Sequence, residues 1–311
     1  IPTMPWLSWQ DEPAILENVS TTETSEFVND NSSYTVIWSA QQWIDTITPI
    51  DVNNSLTGDF ILANDIDFEG INYKPIAFKG IFDGNGYNIL NFEFNRKSTS
   101  SDSGNGLSDS QTGFFTRILE GATIKNINFV DPIVTSETND DQTEVMEGTG
   151  VVFGKIEGDS SGPVISINNV HVISGTVIGE GASGGFGGMI RKGIVEISNS
   201  SFDGTVHTFD ISDVDIQAYG GFIGQIQNQN PSVTLSSVYT NGILTGSGFN
   251  YGGLIGEVRK PDLRIYDSFS TMNISVIAIS IQDNEKNVGG LIGDISTATN
   301  EVELILKDSY Y

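Results

Sequence analysis

Cysteine is missing from all 311 residues, which excludes disulfides and thiolate metal sites, although it leaves the compartment open, since many secreted bacterial proteins also avoid it. Positive charge is scarce. Forty acidic residues face 14 basic ones, for a formal net charge of -26. Such a chain repels nucleic acid and anionic membrane surfaces and stays soluble by self-repulsion. No apolar run approaches the roughly 18 residues that would cross a bilayer as a helix, so membrane insertion is not expected. Histidine occurs only twice, as His171 and His207, at unrelated places in the pattern described below, so the two do not form a metal pair. The glycine-rich stretches lack the G-K-[ST] ending of a phosphate loop.

What is abundant is glycine, with 35 residues, and much of it recurs in one phrase. YGGLIGEV starts at Tyr251, YGGFIGQI at Tyr219, FGGMIRKG at Phe186, TGVVFGKI at Thr149 and VGGLIGDI at Val288, with a looser copy, TGFFTRIL, at Thr112. Aligned on the last position of the phrase, the column reads Thr116, Gly154, Arg191, Gly224, Gly256 and Gly293, at spacings of 38, 37, 33, 32 and 37 residues. A fixed period of this size marks a solenoid. In this alignment Thr116 and Arg191 replace the repeat glycine, so those two units are expected to differ locally.

A second column follows each copy. TIKNINF, SINNVHV, EISNSSF, TLSSVYT, RIYDSFS and ILKDSYY place Asn126, Asn169, Asn199, Ser237, Asp267 and Asp308 at one position, and the earlier fragment NILNFEF contributes Asn91. Small hydrogen-bonding side chains returning once per unit suit a stacked corner, where they satisfy backbone groups that a bend removes from the ladder. Between the columns lie β-branched and aromatic segments with partial period-two alternation, about three short strands per unit. A unit of this kind buries its apolar face only by stacking on its neighbours. The architecture expected is an all-β, parallel β-solenoid over residues 57–311, and 38% hydrophobic content is enough for its core.

Two segments precede it. Residues 1–33 read as an extended acidic arm, opened by IPTMPWLSWQ with Met4, Trp6, Leu7 and Trp9 beside three prolines. Residues 34–56 read as a capping strand and helix, with Ser39 as N-cap and Trp43, Ile44 and Ile47 on one side, closing the first coil.

The stretch LTGDFILANDIDFEG INYKPI, followed by FKGIFDGNGYNILNFEF, is similar to the opening segment of secreted bacterial β-helix proteins, and the GGLIG-type repeats with their SYY- or SFST-like followers resemble the GLUG motif. The resemblance spans about residues 57–311. It implies a right-handed, pectin-lyase-like parallel β-helix of the kind found in surface adhesins and as an accessory region of immunoglobulin A peptidases. It does not imply an activity, because the motif is a scaffold element.

Carbohydrate chemistry on such a fold would need carboxylates converging on adjacent coils. The candidates are Asp65 with Asp67, Asp213 with Asp215, and Asp267 with Asp308. Each has a structural reading that fits it better, and no acid meets a base in register. DGNG at residues 83–86 reads as a tight turn rather than a calcium loop, while NDDQTE and STSSDSGNGLSDS read as solvated loops able at most to bind Ca²⁺ weakly. No catalytic residue, cofactor or resident metal is implied. Of five N-x-[ST] sequons, Asn18, Asn31 and Asn53 are expected to be accessible, whereas Asn199 belongs to the corner column; Asn273 is the fifth.

Function is therefore sought at the chain ends. KDSYY stops just after a corner position, which leaves the last coil open, and the apolar arm needs a surface to cover. The arm either folds back along its own solenoid or adds a strand to a neighbouring subunit's last coil. The second arrangement propagates head to tail into a filament. The sequence thus reads as an extracellular, non-enzymatic structural or adhesive β-helix, self-associating through its ends or holding a surface glycan or protein receptor, and released from a signal segment, since it begins with Ile. The alternatives are a carbohydrate-binding or polysaccharide-cleaving β-helix on a cell or phage surface, and an accessory segment of a larger surface protease. An ice-binding face is not expected without a regular Thr-x-Thr array.

Overall fold

The computed structural model describes residues 26–29, 32–50, 54–97, 111–137, 148–208, 217–259, 261–276, 286–296 and 304–311. The chain winds into a parallel β-helix: apart from one antiparallel pair, Glu26–Asn29 with Ser32–Ile37, every strand pairs in parallel with its counterpart one coil away. Three walls and a short extra sheet make each coil. The first wall stacks Phe115–Leu119, Phe153–Glu157, Gly187–Lys192, Ile223–Ile226, Ile255–Arg259 and Ile292–Ser296. The second stacks the opening halves of Thr123–Val130 and Ile165–Gly179 on Ile194–Ser198, Ser232–Ser236, Asp262–Tyr266 and Leu304–Lys307. Closing the coil, the third continues those two long strands and adds Ser201–Thr208, Tyr239–Gly246 and Phe269–Val276. The extra sheet has six strands of two or three residues, from Gln111–Thr112 to Asn287–Gly289, so a coil holds four strands rather than the expected three.

Alternation drives the winding. In Ser232–Ser236 and Asp262–Tyr266, Val233, Leu235, Leu263 and Ile265 point inward and are fully buried, while the residues between them face water. Burying each such side chain stabilises the fold by roughly 1.5–3 kcal/mol relative to exposure, and the stack does this continuously along its axis. The glycine phrase is where the extra sheet turns into the first wall. A Cβ at Gly256 would lie 2.2 Å from the backbone nitrogen of Tyr219 in the preceding coil, so no larger residue fits.

Strand register corrects one member of that column. Phe153 pairs with Gly187 and Lys155 with Met189, while Gly187 pairs with Ile223 and Met189 with Gln225. Gly188, not Arg191, therefore stands in line with Gly154, Gly224, Gly256 and Gly293. The true copy is SGGFGGMI, with Gly187 in an apolar slot because the Phe153 ring fills the space, passing 2.1 Å from where a Cβ would be. Arg191 lies at a register shift beyond the phrase and pairs with Glu157 at 3.2 Å. Thr116 does occupy the glycine position. It is tolerated there because the extra sheet starts at Gln111–Thr112 among the described residues, so none of its strands lies beneath Thr116 to collide with its side chain.

A capping helix, α1 (Ala40–Ile47), closes the first coil, as its pattern predicts. Ser39 Oγ accepts the Gln42 N–H at 3.2 Å. Trp43 and Ile47 are buried and Ile44 half-buried. Trp43 meets Phe60, Phe82 and Phe114 at centroid distances of 5.5, 5.1 and 5.9 Å. Tyr73 completes this plug: its hydroxyl donates to the Phe114 carbonyl at 2.6 Å, and burial pushes its phenol pKa up. A strand already precedes the predicted arm boundary at residue 33. Glu26–Asn29 is a strand, and Ser32–Ile37 joins the first coil by pairing with Ser55–Leu62. Met4, Trp6, Leu7 and Trp9 lie outside the described residues.

Candidate functional site

The corners come first, because they fix which side chains face out together. Asn126, Asn169, Asn199, Ser237, Asp267 and Asp308 all hold φ between 48° and 55°, the left-handed region that Asn and Asp tolerate best. Asn85, which the motif search passed over, takes the place one coil earlier at φ 52°, and Asp83 Oδ1 accepts both its N–H at 2.9 Å and the Asn126 amide at 3.2 Å. DGNG is thus a turn within the ladder. Asn91 also has φ 52° but belongs to a different corner with Asp131 and Ser174, one strand further on, because Leu90 pairs with Val130. The fragment NILNFEF mimics the column sequence without sharing its register.

The proposed acid pairs do not make a reaction centre. Asp65 Oδ1 accepts the Asn88 backbone and side-chain N–H groups at 2.8 and 3.0 Å. Asp67 Oδ1 accepts the Asn91 amide at 2.9 Å and the Glu69 N–H at 3.0 Å, and these donors, Asn91 foremost, hold its carboxyl below the usual range. Both acids tie coils together. Asp267 and Asp308 are corners, and Asp213 and Asp215 lie outside the described residues, as do Asn18, Asn31 and Asn53. Of the remaining sequons, Asn199 is exposed although it is a corner residue, and Asn273 is exposed on the third wall.

Where the structure does bring acids together is the first wall, at residues the sequence reading did not single out. Glu257 stands between Gln225 and Asp294 in register and is 2% exposed. Its Oε2 accepts from Gln225 Nε2 at 2.6 Å; its Oε1 accepts from Arg259 Nε at 2.6 Å and from Ser296 Oγ at 3.2 Å. Ser296 also bonds Asp294, so two carboxylates share one hydroxyl. Further down the wall, Glu157 joins Lys155 at 3.6 Å and Arg191 at 3.2 Å. Both Glu257 oxygens already accept hydrogen bonds within the chain and the side chain is nearly fully buried, so its acceptor capacity is largely used inside the wall. A period-two reading places Glu257 outward, but its convergence with Ser296 needs the coil register, which one sequence does not display.

The third wall differs in kind. One outward column runs Asn88, Asn128, His171, Ser201, Tyr239, Phe269 and Tyr310. Its early members are bonded: Asn128 Nδ2 to Asn88 Oδ1 at 2.9 Å, and His171 Nδ1 with Ser201 Oγ at 2.8 Å. Desolvation lowers the His171 pKa, so this ring is a neutral ladder member. The later members stack, Tyr239 on Phe269 at 5.4 Å and Phe269 on Tyr310 at 5.3 Å, with planes within 8°. No group of three or more His, Cys, Asp or Glu that could hold a metal occurs among the described residues, and no helix among them is long and apolar enough to cross a membrane.

No protein-family model matches the chain, and no curated protein matches it either. Among solved structures, it is similar to a Bacteroides ovatus protein whose crystal structure carries the provisional name immunoglobulin A1 protease. The two share 17% identity over 86% of this chain and 85% of that one, with a TM-score of 0.49. The parallel β-helix rests on the strand register, and this likeness adds neither a family nor an activity to it.

Proposed function

We propose that the chain is a non-enzymatic structural or adhesive β-helix of the cell exterior, of the GLUG type that its repeats resemble. The observation that carries this reading is the fate of its converging acids. Glu257 engages both its oxygens, and Asp65 and Asp67 one each, in hydrogen bonds that mostly tie neighbouring coils together, as members of a scaffold do. Long in-register walls offer a rigid surface for contact instead, and the large negative net charge of -26 suits an extracellular, salt-screened setting.

Head-to-tail assembly is the second part of the proposal. In the last described coil, Val288, Ile295 and Leu306 occupy the inward positions held one coil earlier by Tyr251, Val258 and Ile265, yet they are 55%, 43% and 48% exposed where their counterparts are fully buried. Covering such a surface with an apolar segment such as Met4 to Trp9 of a neighbouring subunit would restore the burial that every other coil has. The test keeps the whole chain: W6S, L7S and W9S together, compared with the unaltered protein by negative-stain microscopy and light scattering. Filaments lost on substitution support assembly through the arm; filaments that persist, or an unaltered protein that stays monomeric, refute it and leave the adhesive reading standing.

A further inference from the structure

We infer that the third wall, over its three strands Ser201–Thr208, Tyr239–Gly246 and Phe269–Val276, is a binding face for an uncharged, hydroxyl-rich polysaccharide. This rests on the adhesive reading and names its ligand class. The outward residues of these strands are Ser201, Asp203, Thr205 and His207, then Tyr239, Asn241, Ile243 and Thr245, then Phe269, Thr271, Asn273 and Ser275, whereas Phe202, Val206, Leu244 and Met272 point into the core. Asp203 is the only carboxylate among the outward positions, and no lysine or arginine joins it. In a chain carrying 40 acidic residues, a wall this neutral stands apart from its neighbours. The second wall faces out with Glu196, Arg264 and Asp262, and the first with Lys155, Glu157, Glu257 and Asp294.

Charge decides the class of partner. A protein or glycan bearing many like charges gains nothing from this face, and a basic partner would be drawn to the acidic remainder of the molecule instead. What the wall offers is unspent hydrogen-bonding capacity. The Asn273 amide and the hydroxyls of Thr205, Thr245 and Ser275 have no hydrogen-bond partner among the described residues, and Asn241 uses only its oxygen, accepting from Thr271 Oγ1 at 3.0 Å. Amides and hydroxyls that both donate and accept match sugar hydroxyls, which do the same. Apolar surface lies among them: Ile243 is 47% exposed, stands between Thr205 and Asn273 in register, and can cover the C–H face of a sugar ring. Spacing fits as well. Equivalent positions recur every ~4.8 Å across the strands, close to the length of one hexopyranose with its linkage, so a glycan running along the solenoid axis meets an outward side chain in step with each of its units.

The experiment is affinity electrophoresis of the full chain through gels containing a neutral polysaccharide (dextran, galactomannan or xyloglucan) or an acidic one (polygalacturonate or hyaluronan), with light scattering of the protein alone. I243D with N273D puts two charges on exposed positions, and E196Q changes the adjacent wall as a control; thermal melting verifies that each variant is folded. Retardation by at least one neutral glycan, weakened about tenfold or more by the I243D/N273D pair and untouched by E196Q, is the expected result. Retardation by acidic glycans alone, retardation that survives the double substitution, no retardation in any gel, or a dimer in light scattering that I243D/N273D abolishes would each overturn the inference. New reducing or unsaturated ends in the gel polysaccharide would instead overturn the non-enzymatic reading, so the two failures are told apart.

Discussion

Along the first wall the outward residues Lys155, Glu157, Glu257 and Asp294 are charged and bonded within the wall; along the third, Thr205, Thr245, Asn273 and Ser275 are neutral and leave their polar atoms to the solvent. Both rows sit on the same coils and have the same strand geometry, so the fold does not dictate the difference. Glu257 is 2% exposed and must be paired to be tolerated, since an unpaired buried charge is costly. Asn273 is exposed, and water satisfies it for nothing. The first wall therefore spends its chemistry on stability, and the third keeps its own available.

The sharpest way to break this contrast is Glu257→Ala. It leaves the Gln225 amide buried without an acceptor and removes the Arg259 partner, so a loss of about 2–3 kcal/mol is expected. This is less than a fully buried ion pair would give, because Arg259 can regain water. Glu257→Gln, which keeps one of the two acceptor oxygens and the packing of the side chain, should cost less. The corresponding third-wall change, Asn241→Ala, should stay within about 0.5 kcal/mol. Urea unfolding midpoints measure all three. A first-wall loss no larger than the third-wall one would show that the Glu257 network is incidental.

Corners between the walls give the next effect. Asn169 holds φ 55° and donates from its amide to Asn126 Oδ1 at 3.1 Å. Asn169→Ala should cost about 1–2 kcal/mol, since Ala meets the left-handed penalty and loses this bond and the one between Asn169 Oδ1 and His171 Nε2, while Asn169→Gly should cost less because only the bonds are lost. Equal losses would mean that the hydrogen bond, not the backbone conformation, selects Asn there. These corners also measure how much a single sequence discloses. Side-chain type and period were enough to find six of the left-handed residues, because few residues tolerate that conformation. Register was harder: Gly184-Gly185 and Gly187-Gly188 offer the phrase two starting points three residues apart, and the strand pairing decides between them, with the Phe153 ring explaining why residue 187 is glycine. Asn91 misled for the same reason, since two corners of one coil use the same residue types. The Glu257 cluster was hidden more deeply, because its members, Gln225, Arg259, Asp294 and Ser296, come from three successive coils.

The smallest effect belongs to His171, which tests whether the third wall's ladder is as neutral as its later coils. Desolvation lowers this imidazole's pKa, so the folded chain binds its proton less readily than the unfolded chain does. The contribution to stability is therefore complete above the unfolded value of about 6.5 and is lost as pH falls below it. Asp67, Glu120 and Asp159, whose pKa values are also lowered, lose their contributions only in the carboxylate range at lower pH, so the interval from pH 7.5 to 5.5 lies above them. His171→Asn extends the amide ladder of Asn88 and Asn128 by one coil, retains a partner for Ser201 and does not titrate. Unfolding midpoints at the two pH values should therefore fall more for the unaltered chain than for the variant, with His207 common to both. If the two chains lose the same amount, protonation of His171 is not resisted by the wall, and the ladder is more open to water than its hydrogen bonds imply.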